Sequence, residues 1–307
     1  MKVTSAHEHP VYFPVERDTL FGIFTVPPVD PNGVAVIILS GGGATAPATN
    51  RNRMSVHLAR ELATHGYHTL RFDYHGIGES TGVLSGPPKV DEPYLEDLAG
   101  AIEWVRQRGI ERFVLVGACF GARTALSYAA DAHDLESLIL ISPPLRDIEL
   151  GEEAATRLAH TLTFRESVAR ALRFRTLKGL FHPSRRQSYR HFIKVKVDTI
   201  KAIARTGSTP TESAISSHFV DPLRDLVKRA LPVSFIYGTE DWHYRDFVTA
   251  REGGLGKVLE KGSAVDLVVL EGEVHGLATV KVQEEVMSLV LERLSSDAKH
   301  LTAVGSN

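Results

Sequence analysis

Cysteine is nearly absent: the 307 residues contain one, Cys119. A disulfide within the chain is therefore excluded, and so is a metal site built on several thiolates. Long apolar runs are also missing. No stretch approaches the roughly 18 consecutive apolar residues that a membrane-spanning helix needs, and the first residues lack the apolar core of a secretory signal. A cytoplasmic protein without a membrane span is the expectation. Charge of one sign is scarce as well, with 35 Lys and Arg against 37 Asp and Glu and a net charge of −2. Such a balance gives the molecule no overall attraction to nucleic acid or to an anionic surface. Internal repeats and low-complexity linkers are lacking too.

What is present is the balance of a globular protein with a sizeable core, 43% hydrophobic and 23% charged. Pro10–Val15 and Leu20–Val26 alternate around Glu16-Arg17-Asp18-Thr19 and read as a hairpin. Val34–Leu39 is a continuous, β-branched run, as in a strand covered on both faces. Met54, Leu58 and Leu62 then recur at helical spacing, closed by Gly66. The alternation continues with strand His68–Phe72, helix Leu95–Gln107, strand Arg112–Val116, helix Phe120–Ala130 and strand Leu138–Ile141. Later come strand Pro232–Tyr237, helix Arg245–Leu259, strand Val265–Leu270 and helix Val280–Leu294. Strands alternating with helices predict an α/β fold with a mostly parallel central sheet flanked by helices. The final dozen residues, small and polar, are expected to fray. Residues 1–144 and 226–307 form the expected core. Residues 145–225, helix-rich and inserted between two core strands, are the expected helical cap over the carboxyl edge of the sheet.

One cysteine placed at random is most often a small buried hydrophobe. Cys119, however, sits in Gly117-Ala118-Cys119-Phe120-Gly121, between a strand and a helix. This is the setting of a nucleophile elbow, a strained turn in which flanking side chains would clash. The helix starting at Phe120 aims its N-terminal amides at the cysteine, which favours a thiolate. Gly238-Thr239-Glu240-Asp241 and Glu273-Val274-His275-Gly276 follow later strands at the same sheet edge. Nucleophile, acid and base in this order predict a triad of Cys119, Asp241 and His275. His243 is expected in a loop, and the spacing of His182 and His191 asks for no metal. Neither a metal nor an organic cofactor is implied.

Over residues 10–145 and 230–295 the chain resembles the α/β-hydrolase superfamily. The stretch Arg71-Phe72-Asp73-Tyr74-His75-Gly76-Ile77-Gly78-Glu79-Ser80 is similar to that family's loop Asp-x-x-Gly-x-Gly-x-Ser, which shapes the floor beside the oxyanion hole. The Gly-x-Cys-x-Gly elbow resembles dienelactone hydrolases. The Gly-rich first loop and basic cap resemble exosortase-associated hydrolases and natural-product acyl thioesterases. The resemblance implies an oxyanion hole made by the N–H of Phe120 and a donor from Ser40-Gly41-Gly42-Gly43, with Gly42 the expected residue. Many relatives carry His-Gly where this chain has Ser40-Gly41. The implied activity is acyl transfer or hydrolysis through an acyl-Cys119 intermediate, on an activated ester, lactone or thioester. A lyase eliminating an acyloxy group and a non-catalytic binding protein on the same fold are the rival readings. An intact triad argues against the second.

From Arg157 to Arg205 thirteen Lys or Arg face two acids, Glu166 and Asp198. Such runs are commonly solvated helix faces. A functional alternative is a basic collar that holds the phosphates of a coenzyme A or carrier-protein-linked acyl substrate through Arg185 and Arg186. Nucleic acid fits poorly, since aromatic interleaving and binding motifs are lacking. Under the collar reading, reversing the charge of Arg185 and Arg186 weakens carrier-linked substrates and spares small free esters. Steady-state kinetics on both substrate types checks this; equal effects would overturn it.

Overall fold

A computed structural model describes residues 6–41, 47–84, 89–91, 93–147, 215–260, 262 and 264–304. The elements in chain order are β1 (His7–Val15), β2 (Asp18–Val26), β3 (Val34–Leu39), α1 (Met54–Thr64), β4 (His68–Phe72), α2 (Leu95–Arg106), β5 (Arg112–Ala118), α3 (Phe120–Ala129) and β6 (Leu135–Ile141). After the inserted segment follow α4 (Ser217–Lys228), β7 (Val233–Gly238), α5 (Trp242–Arg251), α6 (Gly254–Leu259), β8 (Val265–Leu270) and α7 (Val280–Val304).

The strands form one eight-stranded sheet in the order β1-β2-β4-β3-β5-β6-β7-β8. β1 and β2 join antiparallel, β2 meets β4 antiparallel, and the pairs from β4 through β8 are parallel. This is the expected fold class. Alternation along the strands divides the core between the two sheet faces. On β3, Val34, Val36 and Ile38 pack with Met54, Leu58 and Leu62 of α1 and Val286, Val290 and Leu294 of α7. Ala35, Ile37 and Leu39 point to the opposite layer, with residues of α2, α3 and α4. A strand buried on both faces needs an unbroken apolar run, and Val34–Leu39 has one.

Several boundaries differ from expectation. β5 continues to Ala118, carrying the sheet up to Cys119, and β6 begins at Leu135, three residues early. The expected helix Arg245–Leu259 is two helices, separated by the extended Gly253 (φ −111°, ψ −135°). The first of them starts at Trp242, so His243 lies in a helical turn rather than a loop, and it is fully buried. The last helix runs to Val304, ten residues past the expected end and through residues expected to fray. Leu294, where the apolar spacing stops, is buried in the layer that α7 shares with α1.

Residues 148–214, most of the expected cap, lie outside the described residues, together with Arg185 and Arg186. Both roots of the insertion are described. They converge on Arg123, a fully buried side chain on α3. Its guanidinium donates to the Pro144 carbonyl (2.9 Å), the Asp147 carboxylate (2.9 Å) and Ser216 Oγ (3.5 Å). Ser216 also caps α4 by accepting from the His218 N–H at 3.0 Å. The helix that begins directly after Cys119 thus holds the outgoing and returning chain together. α4 spans the expected boundary at residue 225, and its Phe219, Leu223 and Leu226 are buried in the core.

Burial alone would raise the Asp147 carboxyl, but hydrogen bonds from Ser216 and Arg123 and the Arg123 charge outweigh it and hold it below the ordinary carboxylate range. Its contribution is then complete above the unfolded value of about 4. It is lost as pH falls through the lowered folded value. Asp147 is exposed, so the carboxylate left without its partner regains water, and the main cost of losing Arg123 is the buried Pro144 carbonyl left without its donor. Arg123→Met is expected to lower stability by about 1–3 kcal/mol at neutral pH. Asp147→Asn is expected to flatten the loss of stability below about pH 4. Urea denaturation across pH measures both.

Candidate active site

Cys119 stands between β5 and α3 with φ 48° and ψ −112°, a conformation that L-residues adopt only under constraint. The constraint is close approach of backbone. A Cβ on Gly121 would lie 2.6 Å from the Leu39 carbonyl oxygen, and one on Gly117 would lie 2.5 Å from that of Gly121. A Cβ on Gly41 would meet the Ala118 carbonyl oxygen at 2.8 Å. Side chains at these three places would separate β3, β5 and α3. The Cys119 N–H donates to the Ile141 carbonyl at 2.9 Å, tying the turn to β6 as well.

His275, in the loop after β8, brings Nε2 to 3.3 Å from Cys119 Sγ, across a sequence separation of 156. Asp241, in the loop after β7, is buried. Its carboxylate accepts the N–H of Gly238 at 2.8 Å and those of Val274 and His275 at 2.9 Å each. These bonds fasten the loop that carries His275 to the end of β7. The three residues expected to act together therefore stand at one sheet edge, and the carboxylate grips the histidine through its backbone amide.

The expected oxyanion donors divide. Phe120 is the first residue of α3, where a backbone N–H has no carbonyl one turn earlier in the helix to bond. Gly42 lies outside the described residues. The far end of its loop is anchored all the same: the Ala48 N–H donates to Asp73 Oδ1 at 2.6 Å. Asp73 begins the Asp-x-x-Gly-x-Gly-x-Ser stretch. Ser80 closes that stretch by donating to the Asp73 carbonyl at 2.7 Å and accepting from the Phe21 N–H at 2.8 Å. The motif is a structural brace, as the resemblance implied.

Sequence reasoning placed His243 outside the site, and the structure brings it in. Its ring packs against Trp242 (4.2 Å between centroids) and edge-on against His275 (4.6 Å, 71° between planes). A nitrogen of His243, Cys119 Sγ and a nitrogen of His275 all lie within 4.8 Å of one another. The available signal was local. Asp241 occupies the position just before α5, which places His243 in the first helical turn beside it. Another site-edge pair is His75 and Asp97, with Nδ1 3.0 Å from the carboxylate and the His75 N–H at 2.8 Å. His75 packs at a tilt against Tyr94, which packs against Phe120.

Residues 34–250 match the hydrolase family described as serine aminopeptidase, S33. The chain belongs to that family. The S33 match joins the sheet order in placing it in the α/β-hydrolase superfamily. Solved structures share the fold. Proline iminopeptidase of Mycobacterium smegmatis is 20% identical with a TM-score of 0.61, over 94% of this chain and 98% of that one. The esterase Pf2001 of Pyrococcus furiosus is 17% identical with a TM-score of 0.61, over 95% and 93%. The α/β hydrolase GrgF from Penicillium sp. sh18 is 18% identical with a TM-score of 0.60, over 96% and 99%. No curated protein matches the chain in sequence. The S33 family is named for a serine, and this chain has a cysteine at the elbow. Among the described residues no helix is long and apolar enough to cross a membrane.

The packing at the elbow leaves no room for a methyl group. Gly121→Ala is expected to destabilise the fold by about 3 kcal/mol, because the Leu39 carbonyl is rigid sheet backbone. Gly33→Ala is a control for the backbone term alone, since its Cβ meets nothing within 4 Å while its φ of 78° strains any side chain. Denaturation midpoints of the two variants separate clash from strain.

Proposed function

We propose that this chain is a cysteine-dependent acyl hydrolase or acyltransferase that works through an acyl-Cys119 intermediate. The observation that carries the proposal is His275 Nε2, 3.3 Å from a cysteine sulfur held in the strained turn between β5 and α3. That is the reach required of a general base serving a nucleophile.

The cycle begins when His275 takes the Cys119 proton. The α3 N-terminus stabilises the thiolate through its positive end. The sulfur attacks an acyl carbonyl, forming the C–S bond as the carbonyl electrons move to oxygen. The amides of Phe120 and Gly42 receive that oxyanion, and loss of one such donor typically costs about 3–4 kcal/mol of transition-state stabilisation. The imidazolium of His275 then gives its proton to the departing group. In the second half His275 draws a proton from water, or from another nucleophile, as it attacks the acyl-cysteine. Collapse of the second oxyanion breaks the C–S bond, the acyl product leaves, and the Cys119 sulfur takes the proton back from His275. Asp241 is the positioning acid. By gripping the His275 and Val274 amides it holds the imidazole against sulfur.

Cysteine in place of serine directs the choice of substrate. A thioester lies above an oxygen ester in free energy, so an ordinary ester or amide acylates sulfur unfavourably. Thioesters, strained lactones and enol esters acylate it readily, and the acyl-enzyme then reacts fast with water, amines or alcohols. A coenzyme A or carrier-linked acyl group is the proposed substrate class, with the basic segment holding its phosphates.

Intact-protein mass spectrometry with acyl-coenzyme A thioesters, aryl esters and lactones tests this reading. The expected result is a mass gain on Cys119 that decays on standing. It should be absent in Cys119→Ala, with turnover reduced by about 10³-fold or more in Cys119→Ala and His275→Ala. An alkene product without an adduct would overturn the reading in favour of elimination. A reactive Cys119 that is never acylated would overturn it outright.

A further inference from the structure

Three donors meet at the floor of the site although they are far apart in sequence. Cys119 offers a thiolate, and His243 and His275 each offer an imidazole nitrogen, with all three donor atoms within 4.8 Å of one another. We infer that Cys119, His243 and His275 form a three-ligand site for a thiophilic divalent cation of the zinc type, bound reversibly and in competition with the acyl substrate.

The donor set is the first reason. One sulfur and two imidazole nitrogens suit zinc and cobalt, whereas magnesium and calcium prefer oxygen. Distance is the second. With metal–sulfur and metal–nitrogen bonds of about 2.3 and 2.1 Å, a tetrahedral ion spaces sulfur and nitrogen about 3.6 Å apart. The Cys119–His275 pair is at 3.3 Å, and since all donor atoms lie within 4.8 Å any other pair has at most about 1.4 Å to close, within reach of small side-chain rotations.

Rigidity is the third reason, and Asp241 contributes to it. Its carboxylate binds the His275 N–H, and its backbone carbonyl accepts the Arg245 N–H at the start of the helix whose first turn carries His243. Both imidazoles therefore lie next to segments bonded to one buried residue, and Cys119 is fixed by the elbow. Cys119 and His243 are buried while His275 is part-exposed, so a fourth position is left on the His275 side for water or another ligand. Binding releases the thiol proton to solvent and leaves the sulfur and both imidazoles coordinated. Coordination itself does not depend on the acyl-transfer reading; competition with the acyl substrate rests on that reading.

The test is a cobalt titration of the full chain, stripped with a chelator and kept free of oxygen, followed by absorption spectroscopy. The expected result is a thiolate-to-cobalt charge-transfer band in the near ultraviolet with visible bands of tetrahedral intensity, all displaced by zinc. Cys119→Ser should lose the charge-transfer band. His243→Asn should weaken cobalt affinity at least tenfold, and His243→Cys, which restores a soft donor, should recover it, with circular dichroism monitoring the fold. Absence of the band in the wild-type protein would overturn the inference. So would unchanged affinity in folded His243→Asn, since the ion would then rest on Cys119 and His275 alone. Acylation is read separately in metal-free buffer. A cobalt band without acyl adducts upholds this site and sinks the proposed function, and the reverse does the opposite.

Discussion

Everything at the carboxyl edge of the sheet depends on how closely α3 is pressed onto β3 and β5. The approach is set by backbone atoms rather than by side chains: Gly117 and Gly121 leave no space for a Cβ, and Gly41 closes the third side. Cys119 inherits a left-handed φ of 48° as the consequence. Residues held in such regions typically store about 1–3 kcal/mol, which the surrounding structure must outweigh. Here that surrounding structure is a parallel sheet with apolar layers on both faces. Strain at one residue is sustained because β5 and its neighbours β3 and β6 cannot yield.

A second constraint acts one level above the elbow. The Asp241 carboxylate accepts three backbone N–H groups, from the end of β7 and from the loop after β8. These three bonds join the loop after β7 to the loop after β8 in one braced edge. His275 is held by the carboxylate through its own amide, and His243 stands in the first turn of the helix that follows Asp241. Asp73 does comparable work elsewhere at this edge, holding the Ala48 amide at the end of the glycine-rich loop. Arg123 does so behind it, joining the roots of the insertion to α3. Each brace is a buried charge with several hydrogen-bond partners, the arrangement in which buried charge is tolerated.

Much of this was legible in the residues. Val34–Leu39, His68–Phe72 and Val265–Leu270 are strands with the bounds their apolar patterns gave, and α1, α2 and α3 begin where helical spacing begins. Cys119, Asp241 and His275 were identifiable because each follows a strand that periodicity had already placed. The misses have physical causes. Two glycines, Gly253 and Gly254, split a helix whose apolar spacing ran straight across them. Leu294 ended the apolar pattern, while the helix, whose backbone bonds need no apolar spacing, runs on to Val304. Gly42, Arg185 and Arg186 stand where the described residues do not reach.

The sequence by itself determined the alternation of strand and helix, the strained cysteine turn, and the placing of Cys119, Asp241 and His275 each after a strand. These are local properties, written in hydrophobic period, glycine placement and the residues that follow each strand. Tertiary structure alone decided which distant groups touch. His243 beside Cys119, Arg123 between Asp147 and Ser216, and Asp73 against Ala48 arise from chain segments brought together by sheet order and layer packing. Contacts of that kind leave no periodic trace, because their partners are set by the path of the backbone through space and by no spacing along the chain.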